Sequence, residues 1–335
     1  MVRVAINGFG RIGRGFVRAI HGRSELKVVA INDLSPADNL AYLLKYDTVY
    51  GRAPFAVASK AGVLVIDGKE VPILAEKDPM KLPWKDKRVD IVVESTGIFT
   101  SSEKAKMHLD AGAKRVVISA PSKGEGVDTI LIGANEGKFD SATPITSNAS
   151  CTTNAAAPLI GILDEAIGIE RALLNTTHAY TASQAIVDSV APDDWRRGRA
   201  GAANLGPSST GAAKAVSLAL PAMKGKFDGI AVRVPVPAGS IVDITFVAKR
   251  PTTVEEVNEV LASAAKTDRW KRVFTVSREP LVSSDILGLP YGSIADLSMT
   301  RVVDGTLVKV LAWYDNEMGY VHTLVEHVLE VAKRL

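Results

Sequence analysis

Apolar runs and helical spacings alternate along the first 150 residues of the chain. Val2 to Ile6 reads as a strand, and Ile12, Phe16 and Ile20 then recur every fourth residue, as one face of a helix does. Leu26 to Ile31 and Val89 to Val93 read as further strands. The second is followed by Ser95-Thr96-Gly97 and a helix from Ser102 to Leu109. Val116 to Ile118 and Ile130 to Ile132 are continuously apolar and also read as strands. Strands covered on both faces and alternating with helices predict an α/β unit with a doubly wound, mostly parallel sheet. Asp67-Gly68, between Val63-Leu64-Val65-Ile66 and Val71-Pro72-Ile73, predicts a hairpin attached to that sheet.

Beyond residue 150 the strand patterns lengthen, with Ile230 to Val236 and Ile241 to Ala248 as examples. A second hairpin signal, Asp304-Gly305, joins Arg301-Val302-Val303 to Leu307 through Trp313. Thr253 with Glu256 forms a capping-box start for a helix running to about Ala265. This grammar predicts an α+β unit built on an antiparallel sheet. Val321, Leu324, Val325, Val328 and Val331 mark a last helix. The expected domains are residues 1–150 and 151–316, with the helix of residues 317–335 packing back on the first.

Gly8-Phe9-Gly10-Arg11-Ile12-Gly13 is a G-x-G-x-x-G between a predicted strand and a predicted helix. In that context the first glycine permits the tight turn, the second lets the backbone approach a pyrophosphate, and the third lets helix pack on strand. The helix N-terminus adds amide donors and the positive end of its dipole. Asp33 follows the second strand, where a carboxylate can accept hydrogen bonds from an adenosine ribose and repel a 2′-phosphate. The motif therefore predicts a Rossmann sheet holding NAD in preference to NADP. Ser95, Thr96 and Ser119 end later parallel strands, on the sheet edge where such folds bind ligands.

Charge narrows the alternatives. The formal net charge is +3, from 40 basic and 37 acidic residues, which argues against nucleic acid or a membrane surface as the main partner. A local exception, Trp195-Arg196-Arg197-Gly198-Arg199, could hold a small anion. The chain's one cysteine rules out an internal disulfide. Together with an N-terminus that runs straight into a strand and the lack of an apolar run near the roughly 18 residues of a membrane span, it predicts a cytoplasmic protein.

That cysteine, Cys151, lies in SNASCTTN, among residues that cap helices, and ahead of Leu159, Ile160, Leu163, Ala166 and Ile167 at helical spacing. A thiol at a helix N-terminus is expected to have a lowered pKa. Pro158 requires either that the regular helix start near Asn154 or that it kink. Of the five histidines, His21, His108, His322 and His327 fall in helical segments expected to be exposed. His178, in THAYT at the end of a strand pattern, could pair with the Cys151 thiolate and shuttle a proton. Arg233 in a strand pattern suits an anion, because its planar fork matches phosphate oxygens. Thr210-Gly211, before Ala212-Ala213-Lys214, can act as helix cap and anion nest.

Six segments carry a resemblance that runs from end to end. INGFGRIGR, SNASCTTN, THAYT, SSTGAAKAV, AVRVPVP and WYDNEMGY are similar to the phosphorylating glyceraldehyde-3-phosphate dehydrogenase family, in its order and spacing. The resemblance implies Cys151 as nucleophile and His178 as its base. It implies a site for inorganic phosphate at Ser150, Thr152, Thr210 and Gly211, and one for the substrate's phosphate at Thr181 and Arg233, with Arg197 near both. Cofactor contacts carry over to Arg11, Ile12, Asp33, Ser95, Thr96 and Ser119, and the nicotinamide-orienting asparagine to Asn316 beside Tyr320. Lys77 stands where most members have arginine, Met318 where many have tryptophan, and Val190 where proline is common in the loop reaching a neighbouring subunit.

The activity implied is oxidation of glyceraldehyde 3-phosphate with NAD and phosphate to 1,3-bisphosphoglycerate through a cysteine thioester. A homotetramer is implied, with the loop of residues 182–202 touching a neighbour's cofactor, and no metal is expected. Erythrose-4-phosphate dehydrogenases share the cysteine, histidine and fold, but their THAYT and SSTGAAKAV segments differ. An NAD-binding regulator or RNA-binding protein on the same scaffold would need no reactive thiol.

Overall fold

A computed structural model describes residues 1–192 and 194–335, and Asp193, within the loop expected at 182–202, lies outside the described residues. The chain divides into two units. Unit 1 comprises Met1–Ile130, Gly137–Ala149 and Leu324–Leu335; unit 2 comprises Leu131–Glu136 and Ser150–Thr323.

Unit 1 is built on a nine-stranded sheet. Its strands are β1 (Val2–Asn7), β2 (Leu26–Asn32), β3 (Val57–Lys60), β4 (Val63–Ile66), β5 (Lys69–Leu74), β6 (Ile91–Glu94), β7 (Arg115–Ile118), β8 (Asp128–Thr129) and β9 (Ile145–Ser147). Their order is β8-β9-β7-β6-β1-β2-β5-β4-β3. All pairs are parallel except the β3-β4-β5 meander, which turns at the predicted Asp67-Gly68. Strands β2 and β6 flank β1 on opposite sides, so the strand order reverses at β1. Such a switch point opens a crevice at the carboxyl ends of the strands.

Burial explains the mostly parallel sheet. On β1, Val4 and Ile6 alternate with Ala5, and all three are fully buried, so both faces of the strand are covered. Ala5 belongs to a cluster with Trp84, Val92, Ala105, Val116 and Ile118. Helices α1 (Arg11–Ile20), α2 (Ala37–Lys45) and α3 (Ser102–Asp110) lie in this unit. The Ser101 hydroxyl caps α3 by accepting from the Lys104 amide at 3.3 Å.

In unit 2 the main sheet runs through β10 (Ile169–Ala179), β11 (Gly206–Ser209), β12 (Phe227–Val234), β13 (Ser240–Ala248), β14 (Phe274–Ser277), β15 (Ser293–Asp296), β16 (Arg301–Val303) and β17 (Leu307–Tyr314). The order is β11-β12-β10-β13-β17-β15-β14, with β16 on β17. It is mostly antiparallel, as expected, with β10 parallel to β12 and β14 parallel to β15. Helices α4 (Cys151–Ala166), α5 (Ala212–Ala219) and α6 (Val254–Ala264) belong to this unit, and α7 (Met318–Ala332) begins in it and ends in unit 1. Every residue of α4 from Thr152 to Leu163 is buried, the signature of a helix enclosed on all sides.

Several expectations need correction. Ile130 to Ile132 is buried but is not a strand. The ladder is formed by Asp128–Thr129, and the Leu131 amide is captured by the Asn135 side chain at 2.8 Å. The strands expected at Val89–Val93 and Ile230–Val236 shift to Ile91–Glu94 and Phe227–Val234. The α6 capping box is half made. Thr253 accepts from the Glu256 amide, but the Glu256 carboxylate turns to Arg250 and the Thr252 hydroxyl. Helix α4 starts at Cys151 and not near Asn154, with Pro158 inside it.

Two histidines expected at the surface, His108 and His327, are fully buried. His327 donates from Nδ1 to the Ile130 carbonyl at 3.2 Å, so its Nε2 accepts from the Thr146 hydroxyl at 2.7 Å. Burial lowers its pKa from 6.5 to about 3. Because the folded value lies below the unfolded one, this stabilisation is complete above the unfolded pKa and is lost as pH falls through the folded one. Unfolding free energy should therefore decline on acidification below 6.5, by up to about 1.4 kcal/mol per pH unit from this residue. A His327→Asn variant should show a shallower decline in denaturant titrations across that range; an identical slope would contradict the assignment.

Candidate active site

The glycine turn of unit 1 has three differently constrained members. Gly8 adopts φ +91°, and a Cβ there would lie 2.7 Å from the Thr96 nitrogen. A Cβ on Gly13 would lie 2.3 Å from the Gly8 carbonyl oxygen. Both are therefore glycine for internal reasons. Gly10 differs: its φ is −72°, and a Cβ would meet nothing within 4 Å. Nothing inside the fold demands glycine there, whereas a molecule seated on the turn would.

A cavity of about 550 Å³ adjoins the turn, at the carboxyl ends of β1, β2 and β6. Gly8, Gly10, Asp33, Lys77, Ser95 and Thr96 line it, all of them expected cofactor residues. One Asp33 oxygen accepts from the Phe9 amide at 2.8 Å and the other from the Ser35 amide at 2.9 Å, which fixes the carboxylate at the cavity edge. Arg11 and Ile12 open α1, and the Arg11 guanidinium is held by Asp47. Ser119 follows β7, its amide donating to the Glu94 carbonyl at 2.9 Å. These three, with Gly13, are not among the lining residues. Asn7 and Asn32, which also line the cavity, were not singled out from sequence; polar residues ending apolar strands were the available signal.

Cys151 is the first residue of α4, and Ser150 is its N-cap. The Ser150 hydroxyl accepts from the Thr153 amide at 3.1 Å. The Cys151 sulfur lies 3.4 Å from Nε2 of His178 near the end of β10. Nδ1 of His178 lies 2.6 Å from the Ala179 carbonyl, which can only accept, and within reach of a guanidinium that can only donate, while Nε2 faces the sulfur. Arg233 pairs with His178 in the parallel ladder of β10 and β12, and its Nη1 lies 2.8 Å from Nδ1.

Burial works against the expected ion pair. Cys151 as a residue keeps some solvent contact, yet burial is the dominant influence on its thiol and pushes the pKa above its ordinary value. The charge of Arg233 and hydrogen bonds from Thr152 oppose the rise without cancelling it. Burial, reinforced by Arg233, lowers His178 to about 4. Both shifts favour the uncharged forms of the pair.

Around this pair, Tyr314 was missed by sequence reasoning. Its ring meets His178 edge-on at 5.9 Å, and its hydroxyl lies 2.9 Å from Thr152 Oγ1 and 2.7 Å from Thr176 Oγ1. Burial raises its pKa. The Arg233 Nε is buried with no partner among the described residues, and the nearby Arg197 charge helps lower the Arg233 pKa. Arg197 itself donates to the Ser208 hydroxyl at 3.1 Å. Two guanidinium groups in this relation suit an anion.

Thr181 Oγ1 is 3.0 Å from the Ser183 hydroxyl. Thr210 Oγ1 accepts from the Ala212 amide at 3.2 Å, but the N-cap position of α5 is Gly211 and no side chain caps it. Asn316 is buried, with its Oδ1 accepting from the Gly239 amide at 3.0 Å and the Ser240 hydroxyl at 2.9 Å. That leaves its amide hydrogens for another acceptor. Tyr320 is also buried.

Comparison with known proteins decides the family. Residues 2–102 match the glyceraldehyde 3-phosphate dehydrogenase NAD binding domain, and residues 150–316 match the C-terminal domain of the same enzyme. The chain belongs to the glyceraldehyde-3-phosphate dehydrogenase family. It is 49% identical over 334 residues to the glyceraldehyde-3-phosphate dehydrogenase of Geobacillus stearothermophilus, covering 99% of each chain. It is 48% identical over 336 residues to that of Zymomonas mobilis, covering 100% of this chain and 99% of the relative. As a member of this family it is an NAD-dependent oxidoreductase acting on aldehydes.

Within this dehydrogenase, replacing Gly10 by Ala should leave the melting temperature near the wild-type value and weaken NAD binding, whereas Gly13→Ala should destabilise the fold by about 1–3 kcal/mol. Thermal melts with NAD titrations check this; equal effects of both changes on binding and stability would refute the distinction. Removing the Arg233 charge withdraws its stabilisation of the thiolate, so Arg233→Gln should raise the Cys151 pKa further. Its alkylation by iodoacetamide at pH 7 should then be slower than in the wild type; an unchanged or faster rate would count against the electrostatic coupling.

Proposed function

We propose that Cys151 and His178 carry out the family's reaction in this chain, the oxidation of glyceraldehyde 3-phosphate with NAD and inorganic phosphate to 1,3-bisphosphoglycerate. The observation that supports this most directly is the 3.4 Å approach of sulfur to His178 Nε2 at the head of a buried helix. Attack of sulfur on the aldehyde carbon transfers the thiol proton to Nε2, which hands it to the developing oxyanion. Nε2 then takes back the hydroxyl proton as the hemithioacetal is oxidised to a thioester. NAD, when bound, supplies the hydride acceptor for that step. Phosphate displaces the sulfur from the acyl carbon, and the thiolate recovers its proton.

Burial and Arg233 hold the His178 pKa down at about 4, so the ring is unprotonated at neutral pH but a weaker base than a free imidazole. The cavity beside Gly10 suits NAD, with Asp33 for the ribose and Ser95, Thr96 and Lys77 among its lining residues. Asn316, with its oxygen already occupied, would present its amide hydrogens to the nicotinamide carboxamide. Arg233, Arg197 and Thr181 would receive the substrate's phosphate. Ser150, Thr152, Thr210 and Gly211 would receive inorganic phosphate through the helix starts of α4 and α5.

A homotetramer is the assembly we infer, supported by exposed Ile186, Val187, Val190 and Trp195 in the loop of residues 182–202. A cytoplasmic setting fits the single free thiol. Among the described residues, no helix is long and apolar enough to cross a membrane.

Turnover should require both inorganic phosphate and the sulfur. NADH formation from glyceraldehyde 3-phosphate should rise with added phosphate in the wild type. It should be abolished in Cys151→Ala, with NAD affinity changed by no more than about threefold because the thiol belongs to the chemical step. An active alanine variant, or turnover indifferent to phosphate, would refute the mechanism.

A further inference from the structure

Beneath the cavity in unit 1 runs a chain of buried hydrogen bonds whose inner members do not line it. Trp84 and His108 are 0% exposed, and Glu94 is 1% exposed. The Trp84 indole donates to Nδ1 of His108 at 3.0 Å. An indole can only donate, so the imidazole hydrogen sits on Nε2, which faces Glu94 Oε2 at 3.0 Å. The same oxygen accepts from Asn7 Nδ2 at 2.6 Å. The other, Oε1, accepts from the Thr96 amide at 2.8 Å and from the Thr96 hydroxyl. Four donors therefore occupy the carboxylate's lone pairs.

From Glu94 the chain reaches the cavity by two routes. Thr96 Oγ1 accepts from the Ile98 amide at 3.0 Å, which sets the loop after β6. Asn7 Oδ1 accepts from Asn32 Nδ2 at 2.7 Å, and Asn32 bonds both the Glu76 amide and the Glu76 carbonyl at 2.9 Å. Asn7, Asn32, Glu76, Thr96 and Ile98 all line the cavity, whereas Trp84, His108 and Glu94 do not. Packing alone gives no reason to bury this set, since apolar groups of similar volume commonly replace buried polar clusters without loss of stability. A fully satisfied network does fix geometry, and this one ties together the ends of β1, β2 and β6.

We propose that Trp84, His108 and Glu94 are positioning residues for NAD: their relay sets the Thr96 and Asn7 floor on which the dinucleotide rests. The proposal builds on the dinucleotide role of the cavity. The test compares the full-length wild type with His108→Leu and His108→Gln, reading NAD affinity by fluorescence quenching, kcat, KM for NAD and the melting temperature. Glutamine carries a separate donor and acceptor and can keep both bonds; leucine keeps neither. His108→Leu should bind NAD about tenfold more weakly, with KM raised in parallel and kcat within about twofold, while His108→Gln should stay within about threefold of wild type.

A purely structural role would lower the melting temperature and leave the affinity of the folded protein alone, so a folded His108→Leu that binds NAD like wild type overturns the proposal. If that variant does not fold, Trp84→Phe, which removes the indole donation to His108 at a residue that does not line the cavity, takes its place. About tenfold weaker binding supports the relay, and unchanged binding overturns it. Failure of the wild type itself to bind NAD would instead remove the dinucleotide role of the cavity.

Discussion

The chemistry of unit 2 depends on a sulfur–nitrogen separation of 3.4 Å between two elements with little freedom to move. Helix α4 is buried along most of its length, and β10 lies between β12 and β13. Tyr314 joins them, since its hydroxyl meets Thr152 beside the cysteine and Thr176 two residues before the histidine. Each such bond contributes only about 1 kcal/mol net, but a buried hydroxyl left unpaired would cost about 1–3 kcal/mol. The clamp thus matters more for precision than for stability. An alignment needed for bond formation is present before substrate arrives.

Charge works on that alignment in two directions. Arg233 favours the thiolate and disfavours the imidazolium, so it helps the nucleophile and keeps the base unprotonated. Burial opposes ionisation of both partners and is the larger influence on each. The same guanidinium has an unclaimed buried nitrogen among the described residues, so an anion that binds there also weakens the field acting on the sulfur–imidazole pair.

What the sequence revealed was local. The glycine turn, the Asp67-Gly68 and Asp304-Gly305 hairpins and the caps at Ser150 and Thr253 each depend on a few neighbouring residues, so their chemistry can be read from spacing. The failures came from contacts between distant segments. His108 meets Trp84 and Glu94, and His327 meets Thr146, which lies 181 residues away. Tyr314 finds hydroxyls 162 and 138 residues back along the chain. Helix-end electrostatics at Cys151 were legible, but the desolvation that outweighs them depends on the packing of the whole unit. The apolar Ile130–Ile132 run reported burial correctly and hydrogen bonding incorrectly.

The parallel ladder of β10 and β12 carries one more implication. His178 stands opposite Arg233 in register. Side chains alternate between faces along a strand, so a slip of one residue in this ladder would turn Arg233 away from the histidine. Backbone pairing thereby acts as a ruler: mutations in β12 far from the sulfur, if they insert or delete a residue, should uncouple anion recognition from proton transfer without altering any reacting group.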